Sequence, residues 1–477
     1  MAERYTYLFP FEKVPQGSRI LIYGAGDVGQ AYLRQMKLTG YAEVIGMVDR
    51  AWEKYPRMIV PLYPPQQIRE LTFDFVILAF KMKNFAADVQ ANLLRMGIPA
   101  EKIIYEGARN DVGSVLAPPE VNVKAERQQH FAFEEPGLAI ALKYGPGLGD
   151  AIIKKKLFEA IAQLAPTAKI DIYAPNASKI IPLIYRDEPN FHAAIDDGGA
   201  VYVDNHEKYG LSMSIFYMVQ MDHVKYAVLS EHSPALADAA RKIEAANEAY
   251  KLNIYPTTQN WIHFGRARYH GWNCYNIYNY TGAFAIEGQD VAIPLDSAAK
   301  TEFRKMGLKS YITVNFGNGA ASKGNQSLVS KQWPKEYFEA YIAGMHAHFP
   351  NIEIIQLGDK NVPAFAGADR HVLGQSLEVA KYILKHSMLH LDIEGGLMHL
   401  ATQLGTKCIA LYGSTQVELF SYPQNINLVA EHCHGCYELY ENSYACARGL
   451  ERPECMYSIK PERVIAAAVK YLEGVIA

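Results

Sequence analysis

Short apolar runs alternate along this chain with stretches whose apolar residues recur at helical spacing, the pattern of buried parallel strands separated by amphipathic helices. It predicts strands at Arg19 to Tyr23, Val44 to Val48, Phe75 to Ala79 and Ile103 to Tyr105, with a helix running through about Lys37. A second series begins with a strand at Leu138 to Lys143, a helix at Ala151 to Leu164 and a strand at Lys169 to Tyr173. A third begins at Tyr311 to Phe316. It continues with a helix from Pro334, a strand at Ile352 to Gln356, a buried strand over 387–391, a helix over Leu397 to Leu404 and an apolar run at Cys408 to Tyr412. The hydrophobic pattern loosens between Asp111 and Pro136, where Pro118-Pro119 occurs, and a charged stretch over 298–309 joins the second series to the third. The reading is an α/β chain of three successive nucleotide-type domains: 1–110, a linker over 111–136, then 137–300 and 301–477.

Bulk properties narrow the function. A chain of 477 residues is too long for one ordinary core. With 49% apolar and 20% charged residues it is expected to be a soluble globular protein. Its net charge is −3 and it has no dense Lys/Arg run, which argues against a nucleic-acid partner, because such binding needs a basic face to neutralise phosphates. No window approaches the ~20 apolar residues of a membrane helix. The first residues carry Glu3, Pro10 and Glu12 rather than a secretory core. The expected location is the cytoplasm, with peripheral membrane association and homo-oligomer formation left open.

Glycine-rich turns carry the candidate chemistry. Glu394-Gly395-Gly396-Leu397-Met398-His399-Leu400-Ala401 lies between a strand and a helix. The paired glycines let the backbone turn, and the first N–H groups of the helix, at the positive end of its dipole, can hold a diphosphate. The next strand ends in Gly413-Ser414-Thr415, which supplies further N–H and hydroxyl donors on the same sheet edge. Gly145-Pro146-Gly147-Leu148-Gly149-Asp150 leads into the second domain's first helix, where a carboxylate is stabilised as an anion and, at a cleft edge, becomes a candidate general base. Gly317 follows the third domain's first strand, and Lys331 precedes Trp333-Pro334 near the strand ends where a phosphate would sit.

Taken in order, Gly-Leu-Gly-Asp, Lys-x-Trp-Pro, Glu-Gly-Gly-Leu-Met-His-Leu-Ala and Tyr-Gly-Ser-Thr make residues 137–477 resemble glycosyltransferase family 9, the ADP-heptose heptosyltransferase-like enzymes. The resemblance implies a GT-B fold of two Rossmann-like lobes, acceptor lobe first and nucleotide-sugar lobe second, preceded here by a small Rossmann-like domain. It implies an inverting, metal-independent transfer of a sugar, heptose by preference, from a nucleotide diphosphate donor to a glycan or protein hydroxyl. On this reading Asp150 is the base, Lys331 the phosphate-contacting lysine, and Gly395, Gly396 and Leu397 the diphosphate loop, with Gly317, Glu394, His399, Ser414 and Thr415 around the donor. Many members have Asp-Ser/Thr-Gly where this chain has Glu394-Gly395-Gly396. That form is similar to a subgroup that includes protein-directed autotransporter heptosyltransferases, so a lipopolysaccharide acceptor is not implied as strongly as the transfer itself. The absence of any Asp-x-Asp from the sequence agrees with a diphosphate leaving group held by Lys331 and helix N–H groups and with no catalytic divalent metal. Asp150 would take the acceptor proton as the sugar passes through an oxocarbenium-like state.

Three further features bear on partners. Cys433, Cys436, Cys446 and Cys455 cluster near the C-terminus, which in a cytosolic chain favours a structural metal, Zn or Fe, over disulfides. The same tail resembles family 9 members, and the autotransporter subgroup is known for an iron-binding cysteine motif. Trp261 to Tyr280 gathers aromatic rings around Arg266 and Arg268, suited to a ligand wall, a core or a subunit contact alike. Gly24, Gly26, Gly29 and Asp49 form a G-x-G-x-x-G fingerprint with its acidic residue, a nucleotide site in outline. Two rival functions remain at this level. One is an NAD-dependent nucleotide-sugar oxidoreductase or epimerase centred on 19–105, against which stands the lack of any Tyr-x-x-x-Lys pair. The other is a non-catalytic binding scaffold.

Overall fold

Period-two alternation sorts the strand residues of 311–412 into two cores. Ile312, Val314, Ile354, Leu391, Ile393, Ile409 and Leu411 lie in one buried cluster, and Tyr311, Ile355, Leu357, Cys408, Ala410 and Tyr412 in another. Such a sheet is apolar on both faces because helices cover both, which is why its strands read as continuous hydrophobic runs. The chain, a computed structural model, is described over residues 3–4, 7–54, 60–80, 83–106, 115–116, 137–197, 199–250, 252, 260–317, 330–437 and 446–476.

The described residues form two compact units. The first takes those within Met1–Glu134, Gly198–His206 and Ala245–Thr258; the second takes those within Glu135–Asp197, Glu207–Glu244 and Gln259–Ala477. The first unit has a five-stranded parallel sheet in the order Leu62–Tyr63, Glu43–Val48, Arg19–Tyr23, Phe75–Leu78, Ile103–Ile104. A short antiparallel pair, Glu3–Arg4 with Val115–Leu116, also belongs to it. The expected α/β pattern is present. Residues 199–206 and 245–252, which the hydrophobic pattern assigned to the second domain, group with the first unit instead. Local periodicity carries no information about which core a returning segment joins.

The second unit holds two sheets, the two-lobed α/β arrangement expected of a GT-B chain. One runs Phe191–Asp196, Lys169–Ala174, Ala139–Tyr144, Leu211–Ile215, Val219–Val224, parallel except for the last strand. The other runs Arg370–Leu373, Glu353–Gly358, Tyr311–Asn315, His390–Ile393, Cys408–Tyr412, Ile426–Val429 and is parallel throughout. In each sheet the first strand in sequence is central, and the chain winds to one side and then crosses to the other. The switch points lie between Ala139–Tyr144 and Leu211–Ile215 in one sheet and between Tyr311–Asn315 and His390–Ile393 in the other. Ligands of open α/β sheets bind beyond the strand ends at such points. The segments that follow these strands are the ones that carry Asp150 and Glu394-Gly395-Gly396.

Candidate functional site

The Asp150 helix, Leu148–Leu164, starts from Gly147, whose φ of 122° lies in the region that only glycine enters at low cost. A Cβ there would also stand 2.9 Å from an Asp150 carboxylate oxygen. Asp150 sits in the first turn rather than at the cap, and its carboxylate pairs one turn later with Lys154, Oδ1 to Nζ 3.2 Å. The Lys154 side chain is buried, with its ammonium over the rings of Tyr144 and Phe216. Asp150 itself keeps partial exposure, so the carboxylate is anchored on one side and open on the other.

The Gly-Gly helix, Gly396–Gln403, starts directly after the central strand His390–Ile393. Its first turn meets the first turn of the Asp150 helix. A Cβ on Gly396 would come 3.3 Å from the Gly149 nitrogen and 3.1 Å from Leu148 Cβ, and one on Gly149 would come 3.4 Å from Gly396 Cα. Two helix N-termini thus converge, each adding positive potential, and only glycines allow the approach.

Glu394 is the electrostatic centre of this junction. One carboxylate oxygen lies 2.9 Å from Lys331 Nζ and accepts from Thr415 Oγ1 at 3.1 Å; the other lies 3.2 Å from His399 Nε2. Burial alone would raise its pKa, but the Lys331 charge and the bonds from His399 and Lys331 outweigh this and hold the carboxyl well below the usual carboxylate range. Lys331 packs its ammonium 3.9 Å from the centre of the Tyr437 ring. Tyr437 is tied down by its own N–H to Ser414 O at 2.8 Å, and Gly435 N–H donates to Gly413 O. Ser414 Oγ is buried and meets no hydrogen-bond partner among the described residues, leaving an oriented donor beside Lys331's loop. Ser414 N–H bonds the carbonyl of Ser330, the neighbour of Lys331.

The sequence-predicted residues Asp150, Lys331, Glu394, Gly395, Gly396, His399, Ser414 and Thr415 therefore fall in one unit. Leu397 follows in the first turn of the Gly-Gly helix. Gly317, with φ 121°, packs where a Cβ would strike Ile393 at 2.7 Å and Gln332 at 3.0 Å. Pro334 caps the helix Lys335–His348 rather than opening its first turn. Sequence reasoning missed Tyr437, Tyr422 and Gln403 and placed Tyr275 only within the aromatic segment, because their contacts to this site depend on chain crossings that spacing does not encode. The aromatic segment resolves mainly into core: Phe264, Tyr275 and Tyr278 are buried, while Tyr269 is exposed. Arg268 pairs with Glu418 at 2.7 Å.

The four C-terminal cysteines lie near enough to act on one another. Burial, then the neighbouring Cys433, Cys436 and Cys446, push the Cys455 thiol up to about 12. The donor set suits Zn or Fe, yet among the described residues no group of three or more His, Cys, Asp or Glu is arranged to hold a metal. In the first unit Asp49 spends both carboxylate oxygens on backbone, accepting from Ala25 N–H and Ala51 N–H at 2.7 Å each. Gly24 and Gly29 are required by contact: their Cβ atoms would stand 2.8 Å from Ala79 O and 1.8 Å from Gly24 O. A Cβ on Gly26 would meet no atom within 4 Å.

Residues 318–438 match the family model of glycosyltransferase family 9 (heptosyltransferase). The match spans about a quarter of the chain and takes in Lys331, Glu394-Gly395-Gly396 and Ser414. It supports a glycosyltransferase, and residues 16–104 match a separate domain model, C2185-like, N-terminal. Similar solved structures include the ADP-heptose LPS heptosyltransferase II of E. coli, at 14% identity over 71% of this chain and 99% of that one with a TM-score of 0.42. Another is a glycosyl transferase family 9 protein of Veillonella parvula, at 15% over 71% and 97% with a TM-score of 0.44. A third is the iron-containing dodecameric glycosyltransferase TibC of enterotoxigenic E. coli, at 13% over 71% and 78% with a TM-score of 0.45. No curated protein matches the chain. No helix among the described residues is long and apolar enough to cross a membrane.

Proposed function

We propose that this glycosyltransferase moves a sugar, heptose by preference, from a nucleoside diphosphate donor to a hydroxyl of a glycan or protein, with inversion. The residues of 137–300 that belong to the second unit form the acceptor lobe, and 301–477 the donor lobe. Asp150 takes the acceptor proton, and Lys331, Ser414, Thr415 and the N–H groups of Gly395, Gly396 and Leu397 receive the leaving diphosphate. The observation that carries this reading is the contact of the Asp150 helix start with the Gly-Gly helix start, which brings a partly exposed carboxylate beside an anion-attracting turn. No protein ligand for a catalytic divalent ion is needed, since lysine and helix dipoles supply the positive charge. The fitting experiment is steady-state transfer by Asp150→Asn with ADP-heptose and a hydroxyl acceptor. The expected outcome is a roughly 10²–10⁴-fold fall in kcat with donor KM little changed; full activity would remove the base.

Two subsidiary readings accompany it. The cysteine tail takes one structural Fe or Zn through Cys433, Cys436, Cys446 and Cys455, supported by the clustering of these four thiols in one C-terminal segment. Metal analysis of protein purified under reducing conditions should find one ion per chain, lost in Cys433→Ser. The first unit binds a nucleotide at Gly24, Gly26 and Gly29 once Asp49 exchanges a backbone bond for a ribose hydroxyl; titration with NAD and ADP against Asp49→Ala tests it. The protein works in the bacterial cytoplasm, and its oligomeric state is to be read by light scattering.

A further inference from the structure

Beyond the residues facing the donor, a line of buried groups runs from the acceptor-lobe side to Glu394. Gln403, at the end of the Gly-Gly helix, accepts from Val291 N–H through Oε1 at 2.8 Å and donates through Nε2 to Gln289 O at 2.8 Å and to Tyr275 OH at 3.1 Å. Tyr275 OH bonds Tyr422 OH. Tyr422 OH bonds His399 Nδ1 at 2.7 Å, and His399 Nε2 faces Glu394 Oε1 at 3.2 Å. Tyr275, Tyr422 and His399 are all essentially buried.

The direction of every bond follows from its ends. A backbone N–H can only donate and a backbone carbonyl can only accept, so Val291 and Gln289 fix which way the Gln403 amide points. Its NH₂ therefore donates to Tyr275, whose own proton has one partner left, Tyr422. Tyr422 then gives its proton to His399 Nδ1, which must be the bare nitrogen, and the His399 proton resides on Nε2, aimed at Glu394. The opposite direction would leave the Tyr275 hydroxyl proton buried without an acceptor, which is unfavourable.

We infer that Gln403, Tyr275 and Tyr422 form a one-way hydrogen-bond relay that fixes His399 as the Nε2–H tautomer and so pins Glu394, making His399 and Gln403 positioning residues for Lys331. With one Glu394 oxygen held by His399, the other is left to Lys331 and Thr415, and the ammonium is set where a diphosphate would meet it. The inference rests on the reading of Lys331 as the diphosphate lysine.

The test is nitrogen-15 NMR of the histidine side chains in the full chain, the His399 signal identified by its loss in His399→Gln, together with calorimetric binding of ADP. The starting protein should show a neutral His399 with the proton on Nε2. Gln403→Glu turns the donor into an acceptor: the new carboxylate takes the Tyr275 proton, the relay reverses, and His399 should gain a proton on Nδ1 while keeping the one on Nε2 that faces the Glu394 carboxylate. ADP affinity should then drop about tenfold, as expected for one misdirected buried hydrogen bond. Should that variant fold poorly, Tyr275→Phe cuts the relay with little change of shape and, by freeing Tyr422 to turn its proton away, should let part of the His399 population carry a proton on Nδ1 as well. An Nδ1–H or doubly protonated His399 in the starting protein, or an Nδ1 that stays bare in both variants, overturns the relay. A protonated Nδ1 in the variant with unchanged ADP affinity overturns its positioning role, provided Lys331→Met does weaken ADP; if Lys331→Met does not, it is the diphosphate-site reading that fails.

Discussion

Gly149 lies against Gly396 so closely that a methyl group on Gly149 would stand 2.9 Å from His399 Cδ2 and 3.4 Å from Gly396 Cα. The residue before the proposed base and the start of the proposed diphosphate turn are thus in van der Waals contact. Gly149→Ala should push the two helix starts apart by a few tenths of an ångström. Reaction geometry is sensitive at that scale, so a fall in kcat of about tenfold or more is expected while the melting temperature moves by only a few degrees. Rates and thermal unfolding measured on the same preparation check it; an unchanged kcat would show that the contact does not set the distance between acceptor and donor.

The pairing of Lys331 with Glu394 predicts unequal penalties. Their side chains are 12% and 9% exposed, so removing the cation leaves a carboxylate nearly shut off from water. Lys331→Met should cost about 3 kcal/mol in chemical denaturation, whereas Glu394→Gln, which keeps an acceptor for Lys331 and discards the buried charge, should cost distinctly less. Equal losses would mean that the pair is worth no more than a surface contact.

Much of this site is legible in the sequence. Apolar runs located the strands on either side of both switch points, and the glycines of 145–149 and 395–396 announced tight turns because few other residues permit them. Asp150 and Lys331 stood out as charges at strand ends. What was hidden is which partner each charge meets. Glu394 reads as part of a ligand loop in sequence, yet it is bonded to Lys331, 63 positions earlier, because the sheet order places the segments after its first strand beside its fourth-listed neighbour in space. Tyr275 and Gln403 are 128 positions apart and look like an aromatic cluster and a helix end respectively. The four cysteines show the converse: their clustering was plain, but spacing alone did not establish a ligand geometry.

Tyr437 couples the cysteine tail to the lysine. Its ring lies beside the Lys331 ammonium, and its backbone N–H bonds Ser414 O two residues after Gly435 N–H bonds Gly413 O. Tyr437→Leu removes the ring face while keeping bulk, and donor KM should rise about tenfold, in line with ~1–2 kcal/mol for a desolvated cation–ring contact. Tyr437→Phe should recover most of that loss. Steady-state kinetics with varied donor decides it: equal effects from Leu and Phe would assign the role to the hydroxyl rather than the ring.

Acid should weaken the second unit in two stages. His263 is buried on the helix Asn260–His270, and burial, with a smaller contribution from the Arg266 charge, pushes its pKa down to about 4 from the ordinary 6.5. A histidine with a depressed folded value favours the folded state when neutral, so its contribution is complete above pH 6.5 and is lost as pH falls toward 4, about 3 kcal/mol across the window. Glu394 has a depressed folded value as well, but as a carboxylate it contributes in full above its ordinary 4.5 and loses that contribution only as pH falls further below. The predicted stability profile therefore begins to decline near pH 6.5 and declines again below 4.5. His263→Gln should flatten the first decline and leave the second, while Glu394→Gln should do the reverse. Urea unfolding followed at successive pH values separates the two, and a first decline that persists unchanged in His263→Gln would assign it to another group.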